Sequence, residues 1–151
     1  SRNKITLVIL LILFIQFIQP DYNKSEQVLP TDFTCLYEVP QNIQMILHGT
    51  CYDCHSNNTS YPWYSYIQPI GWVLANHIKD GKRELNFSEF GKYGTRKQIS
   101  KLKGITNQIK EDAMPICSYK IMHKSANLSK KDKLLLQDWM NKTVDSLLLS
   151  K

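Results

Sequence analysis

Apolar positions along this 151-residue chain form one unbroken run and then several periodic stretches. From Ile5 to Ile18 only Thr6 and Gln16 interrupt the apolar residues, and Ser1, Arg2, Asn3 and Lys4 form a polar, basic flank ahead of them. That is the layout of a signal peptide or signal anchor. The run is short for a full span, which takes about 20 residues, yet it is too hydrophobic to be left in water. No small-x-small cleavage pattern follows it, and Cys35 lies too far on to take a lipid at its end. Residues 1–20 therefore read as an uncleaved transmembrane anchor rather than a removed signal. Arg2 and Lys4 would stay in the cytoplasm, and everything after Pro20 would be exported.

Residues 21–39 are polar, with Pro20, Pro30 and Pro40 at their borders. They read as a linker or an extended arm leading away from the membrane. A helix is expected over 41–50, with Ile43, Ile46 and Leu47 on one face, running directly into Cys51. Residues 57–62 are turn material. A second, aromatic-rich helical stretch covers 63–81, and Pro69 should kink or divide it. Residues 85–94 read as loop. Over 95–112, Ile99, Leu102, Ile105 and Ile109 recur at helical spacing beside lysines. Met114-Pro115 breaks that helix, and 116–128 reads as a connecting loop. Ser129, with Asp132 three residues on, caps a last helix whose buried face carries Leu135, Trp139 and Met140. No strand is expected. The fold class is all-α, a single small domain over 40–151 behind the anchor and arm.

Charge changes this picture little. Nineteen Lys and Arg against 13 Asp and Glu give a formal charge of +6. The basic residues are scattered lysines rather than dense arginine runs, so no nucleic-acid partner is indicated. Lysines between 79 and 110, and again between 120 and 133, either steer an acidic partner or simply keep the surface solvated.

Chemistry concentrates in Cys51-Tyr52-Asp53-Cys54-His55, the C-x-x-C-H signature of c-type haem attachment. Two thiols add across the two vinyl groups of haem, and a two-residue gap lets one turn present both sulfurs to one porphyrin edge. The following histidine can then take an axial position on iron. A thioredoxin-like motif would want a βαβ pattern, and a zinc site a second pair of ligands. Neither is present, since Cys35 and Cys117 stand alone. Met114, on a loop before a proline, could supply the second axial ligand and raise the reduction potential, or it could simply fill a core gap. His77 and His123 are alternatives, and His48 is a weaker one. Trp63, Trp72 and Trp139 are expected to wall the haem. Cys35 and Cys117 remain as an even pair in an oxidising compartment, either bonded across the Met114 loop or as two free thiols.

The run from Cys51 through Tyr61-Pro62-Trp63-Tyr64 resembles the bacterial haem-binding domain family of small c-type cytochromes. The likeness continues through Ile67-Gln68-Pro69, His77-Ile78, Gly81-Lys82 and Leu85-Asn86-Phe87-Ser88-Glu89-Phe90. It returns at Met114-Pro115, Ser118-Tyr119, His123 and Leu128-Ser129. The family is common in Bacteroidetes-type bacteria, usually behind an N-terminal anchor. The resemblance implies a cytochrome c-like single-haem fold, one covalent haem c on Cys51, Cys54 and His55, and Met114 as sixth ligand. It is silent on Cys35 and Cys117. The expected protein is an electron carrier rather than an enzyme. It would face the periplasm from the cytoplasmic membrane and serve a redox protein or a respiratory membrane complex. A haem-based sensor or accessory subunit is the alternative.

Overall fold

Helix is the only regular structure among the described residues of the computed structural model, which are 2–25 and 27–149. Ser1 of the basic flank, and Ser150 and Lys151 at the end of the expected domain, lie outside them. The α-helices are α1 (Arg2–Ile15), α2 (Phe33–Leu36), α3 (Gln41–Thr50), α4 (Tyr52–His55), α5 (Ile70–Glu84), α6 (Thr95–Lys110), α7 (Cys117–Met122) and α8 (Lys130–Leu149). Short 3-10 turns occupy Trp63–Tyr66, Phe87–Lys92 and Lys124–Ala126. The all-α expectation holds.

α3 and α6 bury the stripes their sequences present: Ile43 and Leu47 on α3, and Ile99, Leu102 and Ile109 on α6. α6 packs along α8. The start of α8 is capped reciprocally, Ser129 Oγ accepting from the Asp132 amide at 3.1 Å and Asp132 Oδ2 from the Ser129 amide at 3.2 Å. Its buried stripe is Leu136, Met140 and Val144. Met140 is as expected, while Leu135 and Trp139 flank that stripe and are only partly buried. Pro69 divides the aromatic-rich stretch: Ile67 closes the 63–66 turn, and Pro69 opens α5, which runs past Gly81 to Glu84.

Two stretches read as loop are helical. Asn86 Oδ1 accepts from the Ser88 amide at 3.1 Å and starts the 87–92 turn, because Phe87 and Phe90 must enter the core. Residues 117–122 form α7, one short helix.

The arm is not a linker. Phe33 is fully buried, with its ring 4.9 Å from Phe90, 5.3 Å from Phe87 and 5.7 Å from Trp139. Asp32 is buried beside it and caps α2 by accepting from the Thr34 amide at 2.9 Å. Earlier in the arm, Asn23 Nδ2 donates to the Ser56 carbonyl at 2.8 Å and to Thr59 Oγ1 at 2.9 Å. The folded domain therefore takes in the arm, and polar residues there signal fixed hydrogen bonds rather than solvation.

The expectation of a full transmembrane span finds no support in the N-terminal helix. α1 has 14 residues, which at 1.5 Å per residue rise about 21 Å, against a hydrocarbon core of about 30 Å. No helix among the described residues is long and apolar enough to cross a membrane. α1 buries no residue, and its apolar side chains from Ile5 to Phe14 are exposed.

Phe33→Ala should destabilise the domain by about 3 to 5 kcal/mol, the usual cost of emptying a buried aromatic site. Denaturant unfolding checks this; an unchanged midpoint would return residues 21–39 to the status of a linker.

Candidate functional site

Cys51 closes α3, its amide donating to the Leu47 carbonyl at 2.8 Å, and the chain turns at once into α4. The amides of Cys54 and His55 both return to the Cys51 carbonyl, at 3.2 and 3.0 Å. One turn of backbone therefore carries both thiols and the imidazole. The two residues between the cysteines hold that turn from outside. Asp53 accepts from the Ser60 amide at 3.0 Å and from the Tyr119 hydroxyl at 2.6 Å, and its carbonyl accepts from Thr59 Oγ1 at 2.6 Å. Tyr52 donates to Asp32 at 3.2 Å and stacks on Phe87 with centroids 4.9 Å apart. Burial first, and then the carboxylates beside them, push both phenols well above their ordinary range, so both stay protonated donors. α5 crosses directly over the turn, and Gly81 makes the crossing possible. A Cβ there would stand 2.6 Å from the Cys54 carbonyl oxygen.

His55 Nδ1 lies 3.0 Å from the Leu85 carbonyl. A carbonyl can only accept, so Nδ1 carries the proton and Nε2 keeps its lone pair for a Lewis acid. Burial raises both motif thiols to about 11. Burial thus keeps both as neutral thiols in the chain itself.

Two cavities adjoin the turn. The larger, about 360 Å³, is lined by Cys51, Leu85, Phe87, Ile105, Ile109 and Leu128 among others. The smaller, about 220 Å³, meets Cys54, His77, Ile116 and Tyr119. His55, Met114 and Pro115 border both, so each cavity has one motif cysteine and shares the histidine and the methionine. Largely apolar walls, two thiols at the edge and an oriented imidazole nitrogen fit a haem. Lys101 and Gln108 are polar groups on the rim of the larger cavity.

The structure therefore brings Cys51, Cys54, His55 and Met114 together. The Met114 loop is held to the end of α6, where the amides of Ala113 and Met114 both reach the Gln108 carbonyl, at 3.0 and 3.3 Å. An ion pair from Asp112 to Lys133 ties the same loop to α8. Asp112 takes a positive φ of 56° to make that bend. No bond joins Cys35 and Cys117; both are free, exposed thiols, on α2 and at the start of α7. The loop keeps its place without them.

His77 reaches the smaller cavity, on α5. His123 does not line either cavity; its ring stacks on Tyr119 at 4.1 Å and contacts the Tyr64 hydroxyl at 3.3 Å. His48 lies against Tyr52 at 4.1 Å. The expected tryptophan wall is absent from both cavities. Trp63 points outward at 74% exposure, Trp72 donates its indole N–H to the Ile18 carbonyl at 2.8 Å, and Trp139 packs on Phe33. Leucine, isoleucine and Phe87 form the walls instead: Trp72 sits at the opening of α5, well before the Gly81 crossing, and Trp139 turns toward Phe33.

Sequence reasoning missed Leu85, Asp53, Tyr119 and Gly81 as parts of the site. Gly81 had a usable signal, an isolated glycine in a helical pattern, which often marks close packing. Leu85 acts through its backbone carbonyl, which no side-chain pattern reveals.

An all-helical domain with an apolar double cavity, an oriented histidine and paired thiols at its edge belongs to the class of haem-pocket proteins. The chain is a member of the haem-binding domain family, whose model matches residues 10–142. No curated protein and no solved structure matches it significantly.

Gly81→Ala should destabilise the domain and lower haem occupancy, since the opposing atom is backbone and the turn itself must shift; overpacking of this kind costs about 1 to 3 kcal/mol. Gly49→Ala, with nothing within 4 Å of the new methyl, serves as the control and should lose neither stability nor haem. Thermal melts and the haem-to-protein absorbance ratio read both effects.

Proposed function

We propose that this protein is a monohaem c-type cytochrome, carrying single electrons at the periplasmic face of a bacterial cytoplasmic membrane. One observation carries the reading: His55 and Met114 border both cavities while Cys51 and Cys54 take one each. Haem, when bound, supplies an iron centre that accepts and returns one electron. The chain's own residues do the rest. Cys51 and Cys54 would hold the cofactor's edge through thioethers. His55 offers Nε2 while Leu85 holds Nδ1, and Met114 offers a thioether from the pinned loop, a ligand that raises the potential. The apolar walls keep water away and favour the less charged, reduced state. His77, the one other histidine on a cavity wall, is the alternative sixth ligand.

The membrane half of the proposal rests on α1. An apolar rod exposed on every side has lipid as its natural surroundings. Arg2 and Lys4 would keep its start in the cytoplasm, and the electron partner would be a redox protein or a respiratory membrane complex. The scattered lysines suit an acidic docking face.

In denatured protein the haem should remain attached, keeping Soret absorbance and one haem of added mass. The pair Cys51→Ala and Cys54→Ala should remove both. Haem that acidic acetone extracts from the wild type would sink the covalent reading.

Met114→Ala should lose the weak sulfur-to-iron band at the red end of the oxidised spectrum and open the iron to carbon monoxide, with a lower potential. Opening by His77→Ala instead would assign the sixth position to that residue. Rapid carbon monoxide binding by the wild type would favour a sensor.

A further inference from the structure

We infer that the 63–66 turn and the first turns of α5 rest on a lipid bilayer at headgroup depth, so that the haem domain lies against the membrane instead of hanging from a flexible arm. The inference builds on the proposal that α1 enters lipid. Its own evidence begins with an exposed patch. Trp63, Tyr66, Ile67, Ile70 and Val73 are between 43% and 74% exposed, and they follow one another along the turn and the opening of α5. Phe17 and Ile18, where the chain leaves α1, are exposed as well.

Hydrogen bonds join the two groups into one surface. Gln16 and Gln68 pair reciprocally, the Gln16 side-chain Nε2 donating to the Gln68 carbonyl at 3.1 Å and the Gln68 backbone N–H to Gln16 Oε1 at 2.9 Å. Gln68 Nε2 donates to Gln19 Oε1 at 2.9 Å, and Trp72 Nε1 to the Ile18 carbonyl at 2.8 Å. The base of α1 is thus bolted to the turn, without slack between them.

Two physical facts select a bilayer as the occupant. The patch is continuous with a helix that is apolar on all sides, so whatever medium receives α1 meets the patch next. It also mixes tryptophan and tyrosine with aliphatic residues, the composition favoured at the membrane–water boundary. The shortness of α1 works in the same direction. A rise of about 21 Å is less than the apolar thickness of about 30 Å, so burying its whole length draws the attached domain down to the surface. α5 then bounds the height of the haem pocket. From Ile70 to Glu84, which borders both cavities, the helix rises about 21 Å, so the pocket stays within that distance of the patch.

The test uses the haem-loaded chain carrying Cys35→Ser and Cys117→Ser, reconstituted in vesicles of phosphatidylethanolamine and phosphatidylglycerol. Single cysteines are introduced by Trp63→Cys in the patch, Leu10→Cys on α1 and Leu134→Cys on α8, which packs on α6 and α3. All three positions are more than half exposed in the chain itself. Labelling by a membrane-impermeant maleimide is read by peptide mass. Positions 10 and 63 should react at least an order of magnitude more slowly than position 134. Protection at 10 with full reactivity at 63 overturns the inference and leaves the membrane tether standing. Reactivity at both 10 and 63 overturns the tether and the inference together. Position 63 reactive in vesicles yet protected in native membranes also overturns it, and assigns the patch to a protein.

Discussion

The hydrogen bond from His55 Nδ1 to the Leu85 carbonyl decides which way the imidazole offers its other nitrogen, and much of the fold keeps its two ends in register. In energy it is small, about 1 kcal/mol net for such a bond. Its consequence is directional. The Leu85 end is set by α5, whose last turn closes when the Leu85 amide donates to the Gly81 carbonyl at 2.9 Å. The His55 end is set by the turn folded back on Cys51. Gly81 serves both, since it closes α5 and lets α5 touch Cys54. A side chain at that one position would separate donor from acceptor.

Around this bond lies a frame of buried polar groups rather than a purely apolar shell. Asp32, Ser56, Thr59, Asn86 and Ser88 are all buried, and each has a hydrogen-bond partner. Among the described residues no buried side-chain polar atom lacks one. Such groups are costly when unpaired, so together they admit few alternative arrangements of the turn. Asn23 and Asp32 bring the arm into that frame, linking a stretch far from the motif in sequence to the residues on either side of it.

The Met114 loop is secured by different means. Backbone bonds to the end of α6 and an ion pair to α8 hold it, while the thiols of Cys35 and Cys117 stay apart. The ion pair involves an exposed aspartate and adds little by itself. The backbone bonds set the loop's position, and buried Pro115 seats it between the two cavities.

Helical periodicity alone made α3, α6 and α8 legible, because each buries one stripe and the stripe recurs every three to four residues. The C-x-x-C-H motif was equally legible, because its chemistry is local and needs only one turn of chain. Expectations failed where position depends on distant residues. Phe33 and Asp32 looked like linker, since a four-residue helix has too little length for periodicity and its burial comes from Phe87, Phe90 and Trp139. Trp63 and Trp72 looked like pocket walls, since hydrophobicity states that a side chain avoids water but not which apolar surroundings receive it. Leu85 could not be found at all, because its contribution is a carbonyl that every residue possesses. Its place above His55 comes from where α5 ends and from the missing Cβ at Gly81, and only tertiary packing brings those two together.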